Sequence, residues 1–277
     1  MSFAIGVVLY NFQLEKLKKI IDEYADKAKN IIFVDNCSAN INEFEQLKTE
    51  TTNIKLIKNK KNLGIAKALN QILNTTIEIK ADFLLTLDQD SYLRYDDLKK
   101  MMKYMRDDVA IVCPEILDLN KKKNKKLNKE YQEVERCITS GALMNMKICE
   151  KIETFDEKMF IDYVDFDYCK KIRIEGYKIL QIQGCFLQHE IGKRTSRKFL
   201  WIDVYPTNHS SFRVYYYFRN MHYYYLKYRK KMTIKEKINE IIRITWKYVS
   251  IILYEENKKE KLKKAKEGYK DTAKMLV

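Results

Sequence analysis

The stretch ADFLLTLDQD, residues 81 to 90, decides how this chain folds. Phe83, Leu84, Leu85, Thr86 and Leu87 make a nearly unbroken apolar run without alternation, the pattern of a strand covered on both faces of a sheet. The run stops at Asp88, Gln89 and Asp90, so two carboxylates stand where a buried strand emerges at the surface. Carboxylates there are costly unless a cation or hydrogen-bond donors compensate them. A divalent ion carrying a nucleotide diphosphate meets that need, since hard oxygen ligands suit Mg2+ or Mn2+ and phosphates complete the shell. The competing reading is a strand-to-helix turn, with acidic residues capping a helix over Asp96 to Met105.

Working outward, the same pattern recurs. FAIGVVL (3 to 9) is an apolar run followed by Leu14, Leu17, Ile20, Ile21, Tyr24, Ala25 and Ala28 at helical spacing. NIIFVDN (30 to 36) and NIKLIKN (53 to 59) read as strands, and GIAKALNQIL (64 to 73) places Ile65, Ala68, Leu69, Ile72 and Leu73 on one helix face. Strands alternating with amphipathic helices predict an α/β fold with a mainly parallel central sheet flanked by helices. In such sheets ligands bind beyond the carboxyl ends of the strands. The polar residues there are Tyr10 and Asn11, Asp35 and Asn36, and Asp88 and Asp90, which become candidate site residues. Later strands are expected in VAIVCPEIL (109 to 117), CITSGALMN (137 to 145) and YKILQIQGCFLQH (177 to 189), with the lysine-rich KKKNKKLNK (121 to 129) as a solvated surface loop.

Charge divides the chain. Of 53 Lys+Arg and 38 Asp+Glu, residues 1 to 192 hold 31 and 30, whereas residues 193 to 277 hold 22 and 8. A near-neutral body over 1–195 and a basic, aromatic, helical C-terminal region over 196–277 follow, and the latter should seek an anionic surface. The 46% hydrophobic content with 7 Gly and 2 Pro suits a sizeable core rather than long disordered linkers. The N-terminus lacks a basic segment and its apolar run meets Asn11 too soon for a signal peptide. No apolar stretch reaches the roughly 18 to 20 residues of a membrane-spanning helix. The 6 cysteines form no CxxC pair, which speaks against a zinc cage and for a reducing compartment.

A second acidic cluster lies in FIDYVDFDYCKKIRIEG (160 to 176). Helical spacing predicts Asp162 and Asp165 near one face and Asp167 elsewhere. One of the three is expected to complement a helix dipole; another, near a metal and substrate, is eligible as a general base. His189, one of 3 histidines, ends a strand and is eligible as a nitrogen ligand to the same metal.

Taken in order, VVLYN (7 to 11), VDNCS (34 to 38), NLGIAKALN (62 to 70), LDQDS (87 to 91), TSGAL (139 to 143), FIDYVDFDYCKKIR (160 to 173), HEIG (189 to 192) and HSSFRVYYYFRN (209 to 220) resemble the GT-A type glycosyltransferases of family 2, and within them the bacterial rhamnosyltransferase-like group. EGYKDT (267 to 272) is similar to the closing segment of that group. The resemblance implies a GT-A fold and an inverting, metal-dependent transfer to a hydroxyl of a glycan or lipid-linked saccharide. It implies that Tyr10, Asn11, Asp35, Asn36, Asn62, Gly64, Asp88, Gln89 and Gly141 line the nucleotide-sugar site, Tyr10 and Asp35 at the nucleoside and Asp88 near the ribose. Gly141 is expected close to the donor sugar. Asp90 and His189 are implied as ligands of Mg2+ or Mn2+. Asp165 stands where the family's catalytic carboxylate stands, although the usual Glu-Asp is here Val164-Asp165. The DQDS form of the motif and the HSSFRVYYYFRN segment point to dTDP-L-rhamnose as donor, with UDP-linked galactofuranose or hexose as the alternative.

The tail carries FRVYYYFRNMHYYYLKY (212 to 228) and then TIKEKINEIIRITWKYVSIILY (233 to 254), where Ile234, Ile238, Ile241, Ile242, Thr245, Val249 and Ile252 form a helical stripe. Packing on the body is one reading. The favoured one is an interfacial helix on an anionic membrane, which implies a cytoplasmic protein held peripherally at the inner face. A single-stranded nucleic-acid-binding protein is the non-enzymatic alternative, but it has no use for the acidic clusters and His189, so no nucleic-acid partner is expected. A nucleotidyltransferase would carry a glycine- and arginine-rich phosphate loop after the first strand, which LYNFQLEKL lacks. Acceptor recognition is expected in the segments 118 to 136 and 193 to 208.

Overall fold

The apolar runs become strands. In the computed structural model, which describes residues 1–47, 53–117, 129–189, 197–199, 202–204, 206 and 208–276, the chain divides into two units: residues 1–157 with 164–190, and residues 158–163 with 191–277.

The first unit runs β1 (Phe3–Leu9), α1 (Leu14–Tyr24), β2 (Asn30–Asp35), β3 (Ile54–Lys58), α2 (Ile65–Glu78), β4 (Phe83–Asp88), β5 (Ser91–Tyr92), α3 (Tyr95–Met102), β6 (Val109–Leu117), β7 (Tyr131–Glu133), β8 (Leu143–Asn145), α4 (Met146–Cys149), α5 (Val164–Ile174) and β9 (Lys178–His189). One sheet takes the order β3-β2-β1-β4-β8-β6-β9-β5, with β7 on β9. Pairs β3/β2, β2/β1, β1/β4 and β6/β9 are parallel, whereas β8 runs antiparallel to both β4 and β6. Parallel pairing therefore runs through β3, β2, β1 and β4 and returns between β6 and β9, while β5, β7 and β8 pair antiparallel with their neighbours. CITSGALMN gives only a three-residue strand, because a turn at Ser140 and Gly141 (φ +82°) occupies its first part. Ile5, Ile31, Phe33, Leu85, Val112 and Leu143 lie fully buried in the core. The loop expected at 121 to 129 lies almost wholly outside the described residues.

The second unit holds the short pair β10 (Arg197–Phe199) and β11 (Ile202–Val204) and three helices, α6 (Ser211–Tyr228), α7 (Ile234–Tyr254) and α8 (Lys258–Met275). Helices α6 and α8 pack closely at Gly268, where a Cβ would collide with the backbone of Tyr215. Tyr215 donates to Asp271 (2.9 Å) and Thr272 to the Arg219 carbonyl (3.0 Å), so EGYKDT serves as the strip that seats α8 on α6. Residues 158–163 are tied to α6 as well. Arg213 forks onto Asp162 with contacts of 2.9 to 3.2 Å, Asn220 donates to the carbonyls of Ile161 (2.7 Å) and Asp162 (3.0 Å), and Arg219 donates to the Lys158 carbonyl (2.8 Å).

Candidate active site

Parallel pairing of β2, β1 and β4 brings three strand ends to one edge. Leu9 lies opposite Asp35 and Val8 opposite Asp88, so Tyr10, Asn11, Asp35, Asn36 and Asp88 to Asp90 cluster as the topology rule requires. The ends are stitched together by their own polar groups. Gln89 clamps the Tyr10 backbone from both sides, accepting its N–H (2.8 Å) and donating to its carbonyl (3.1 Å). Asn11 adopts φ +49°, donates its N–H to the Ser38 hydroxyl (2.9 Å) and accepts from the Ala39 N–H (3.0 Å). The Tyr10 side chain is half exposed at this edge.

Asp35 is buried, and its carboxylate accepts the backbone N–H groups of Cys37 and Ser38 and the Ser38 hydroxyl. Charge-assisted bonds of this kind are about twice as strong as neutral ones, and they fix the turn that follows β2. Asn36 is also buried: it donates to the Gly64 carbonyl (3.1 Å) and accepts from Asn59 (3.0 Å) and from the Leu63 N–H (3.4 Å). Asn62 accepts the Gly64 N–H (3.0 Å). Asn36 and Asn62 thus shape the loop that feeds α2, and Gly64 supplies its positive φ of 86°.

Asp88 donates its N–H to the Ser140 hydroxyl (3.0 Å), and Thr86 is bonded to the same turn, its carbonyl accepting the Gly141 N–H (2.7 Å) and its N–H donating to the Ala142 carbonyl (3.0 Å). A Cβ on Gly141 would lie 2.9 Å from Pro114 Cγ. This contact and the positive φ of 82° both call for glycine at this position. Ser38 and Ser140 are the positioning residues that reading the motifs alone missed. Both sat inside quoted motifs, VDNCS and TSGAL, where only their neighbours were assigned roles.

Asp90 follows β4, and antiparallel pairing of Ser91 with His189 sets the backbone of His189 next to it. The side chain of His189 lies outside the described residues. Among the described residues no three His, Cys, Asp or Glu side chains converge to form a complete protein cage for a metal. A half-buried carboxylate just past the end of β4 suits a hard cation that takes its remaining oxygens from phosphate.

The second acidic cluster separates three ways. Helix α5 begins at Val164, and Asp162 and Tyr163 both have positive φ (65° and 67°), so Asp162 is not on the helix and the expected shared face with Asp165 does not exist. Asp162 is spent on Arg213. Asp167 is fully buried beside the Lys171 ammonium (3.5 Å), which also reaches the Thr154 carbonyl (2.6 Å). Asp165 lies in the first turn of α5, accepts the Phe166 N–H (2.9 Å) and lines a small cavity with Cys137, Thr139, Ala142, Tyr168 and Cys169. The cavity's thiols lie 3.8 Å apart. Cys137 is held well above the usual thiol range, first by its bond with Cys113, and Cys169 first by its contact with Cys137 and then by burial, with the Asp165 charge adding to both. Both thiols therefore stay protonated near neutral pH and are poor nucleophiles.

Comparison with known proteins supplies the family and the fold. Residues 5–161 match the family model described as Glycosyl transferase family 2. The dTDP-rhamnosyl transferase RfbF of Shigella flexneri is 30% identical over 280 residues, taking in 93% of this chain and 90% of that protein. Among solved structures, S. aureus TarS matches with a TM-score of 0.62 at 14% identity, over 92% of this chain and 44% of its own. GalNAc-T7, solved with UDP, GalNAc and Mn2+, matches with a TM-score of 0.59 at 14% identity, over 81% of this chain and 50% of its own. The chain thus spans about half of each of these two, and likeness at that identity speaks for the fold, a GT-A sheet flanked by helices. With more than half of its length matched by the family model and a rhamnosyltransferase relative aligned along nearly all of it, the chain belongs to glycosyltransferase family 2 and is a glycosyltransferase.

Proposed function

We propose that this enzyme transfers L-rhamnose from dTDP-L-rhamnose, with inversion, to a hydroxyl of a glycan or lipid-linked saccharide in the synthesis of a cell-surface polysaccharide. The observation that supports the chemistry is the placement of Asp165, in the first turn of α5 beside a small cavity, at the position where the resemblance puts the family's catalytic carboxylate. Asp165 takes the proton from the acceptor hydroxyl as that oxygen attacks the anomeric carbon; the bond to the nucleoside diphosphate breaks, and the single displacement inverts the configuration. Tyr10 and Asp35 meet the nucleoside, Asp88 the ribose, and Asn11, Asn36, Asn62, Gly64, Gln89 and Gly141 complete or shape the donor site. Asp90 and His189 would hold Mg2+ or Mn2+, which when bound neutralises charge building on the departing diphosphate. The donor reading is supported by the relative named a dTDP-rhamnosyl transferase. A UDP-sugar is the second reading, favoured by the fold relative solved with UDP and GalNAc.

No helix among the described residues is long and apolar enough to cross a membrane. The 22 basic against 8 acidic residues of 193–277 support peripheral attachment to the inner, cytoplasmic face of the cell membrane, where a lipid-linked acceptor is met. The test is to incubate the purified protein with a panel of nucleotide sugars and membrane extract and identify the product by mass spectrometry. A deoxyhexose increment from dTDP-L-rhamnose alone is expected; an increment only from a UDP-sugar would overturn the donor assignment.

A further inference from the structure

Helix α7 is built inside out. Its acidic residues, Glu236 and Glu240, are buried, Glu240 to 1% exposure, and so are Lys247 and Ser250. Lys247 and Lys261 close on Glu255 at 2.7 and 3.0 Å, forming a buried ionic knot at the end of the helix. The opposite face carries Ile234, Ile238, Ile241, Ile242, Ile252 and Leu253, each about half exposed or more, with Trp246 at 40% on the edge of the stripe. At 100° per residue these positions form one continuous ridge. Over 21 residues it runs about 30 Å. A run of exposed isoleucines this long is far beyond the scattered surface apolar residues of ordinary proteins.

Charge identifies what covers the ridge. Because both acids of α7 point inward, the charged residues its surface presents are cationic: Lys235 and Arg243 are exposed and Lys237 is half-buried. Helix α8 adds exposed Lys258, Lys259, Lys263 and Lys270 within the same unit. Two copies meeting through such surfaces would repel each other, whereas an anionic bilayer attracts the cations and takes up the isoleucines. Nucleic acid would satisfy the lysines but not the ridge.

We infer that α7 is the membrane-docking element, lying in the plane of an anionic bilayer with its isoleucine ridge inserted below the headgroups and Trp246 at the interface. This deepens the peripheral-membrane reading above and rests on it, adding insertion by a particular face to attraction by charge. Trp246 reports the event directly, since the chain has 2 tryptophans and Trp201→Phe leaves it as the sole tryptophan, which is excited selectively over the 20 tyrosines at the red edge of the absorption band. With full-length Trp201→Phe protein, vesicles of phosphatidylglycerol and phosphatidylcholine should shift Trp246 emission to the blue, and pure phosphatidylcholine should do so far less. Adding Ile242→Ser and Ile252→Ser should weaken vesicle binding by roughly tenfold or more, because each removes about one buried aliphatic side chain, while the melting temperature stays unchanged.

If the double variant binds anionic vesicles as tightly as its parent and in a salt-sensitive way, the ridge does not insert, and the charge-only reading survives without it. If the parent itself ignores anionic vesicles, the membrane reading falls with the inference. A dimer in sedimentation velocity that Ile242→Ser and Ile252→Ser convert to monomer, with vesicle binding unaffected, would assign the ridge to a second copy and overturn the inference.

Discussion

Replacing Asn220 with alanine should disable the enzyme from a distance. Asn220 is fully buried in α6, and its amide is the donor to two carbonyls, Ile161 (2.7 Å) and Asp162 (3.0 Å). These belong to the short stretch 158–163, which ends immediately before α5 and two residues before Asp165. Asp162 and Tyr163 are held there at positive φ, a conformation that costs roughly 1–2 kcal/mol per non-glycine residue and persists only while its surroundings enforce it. Alanine leaves two partly buried carbonyls without their donor, at about 1–3 kcal/mol each when fully shielded from water, so the expected loss is ~2–5 kcal/mol. The Arg213–Asp162 fork still ties the stretch to α6, which keeps the estimate below the cost of complete release. For a domain of this size 1 kcal/mol moves the midpoint by roughly 4–8 °C, so calorimetry should show the second unit melting at least about 10 °C earlier. Turnover should fall while the KM for the donor changes little, because the donor residues at the ends of β1, β2 and β4 make no use of Asn220. An Asn220→Ala enzyme with wild-type melting and wild-type kcat would refute the view that this stretch is held by α6.

Asp165→Asn should abolish transfer yet retain donor binding, read by thermal shift with nucleotide sugar and metal; near-normal turnover removes Asp165 from the role of base. Chelation with EDTA should inactivate the enzyme and Mg2+ or Mn2+ restore it, and full activity in chelator would dismiss the metal-bridged donor site. Gly141→Ala should destabilise the first unit by ~2 kcal/mol through its positive φ and the Pro114 contact, measured by denaturant titration; an unchanged midpoint contradicts the packing seen there. His222 should make the second unit acid-sensitive. Burial pushes its imidazole below the ordinary 6.5, partly opposed by the bond to the Phe218 carbonyl. The unfolded chain then binds the proton first, so stability falls as pH drops below about 6.5 and levels off beneath the folded value. His222→Gln should flatten that slope between pH 7 and 5.

Much of the donor edge was legible because a parallel strand announces itself twice, by its apolar run and by the polar residue where the run stops. Val34 to Asp35 and Leu87 to Asp88 are both such endings, and the alternation with helices gave the parallel pairing of these strands, though not their order in the sheet. The hydrogen-bonding partners were not legible. Nothing in VDNCS tells that Ser38 folds back onto Asp35, nor in TSGAL that Ser140 holds the Asp88 backbone, since both depend on where a loop turns in space. The acidic cluster misled for a related reason. Periodicity assumed one helix through Asp162, whereas consecutive positive φ values at Asp162 and Tyr163 delay its start to Val164.

Helix α7 separates the two kinds of information most clearly. Its 3.6-residue period, its length and its isoleucine stripe are properties of the sequence, because local spacing alone sets which side chains share a face. Which face turns inward is a tertiary decision. An apolar stripe would ordinarily be buried, but here Glu236 caps the helix start and Lys247 finds Glu255, which Lys261 also grips, so the ionic face is satisfied inside and the isoleucines remain outside. Sequence determined that this protein has polar residues at the ends of buried parallel strands and a basic, amphipathic tail. Only the packing of that tail decided that its greasy side faces out, because pairing of distant charges, unlike periodicity, cannot be read along the chain.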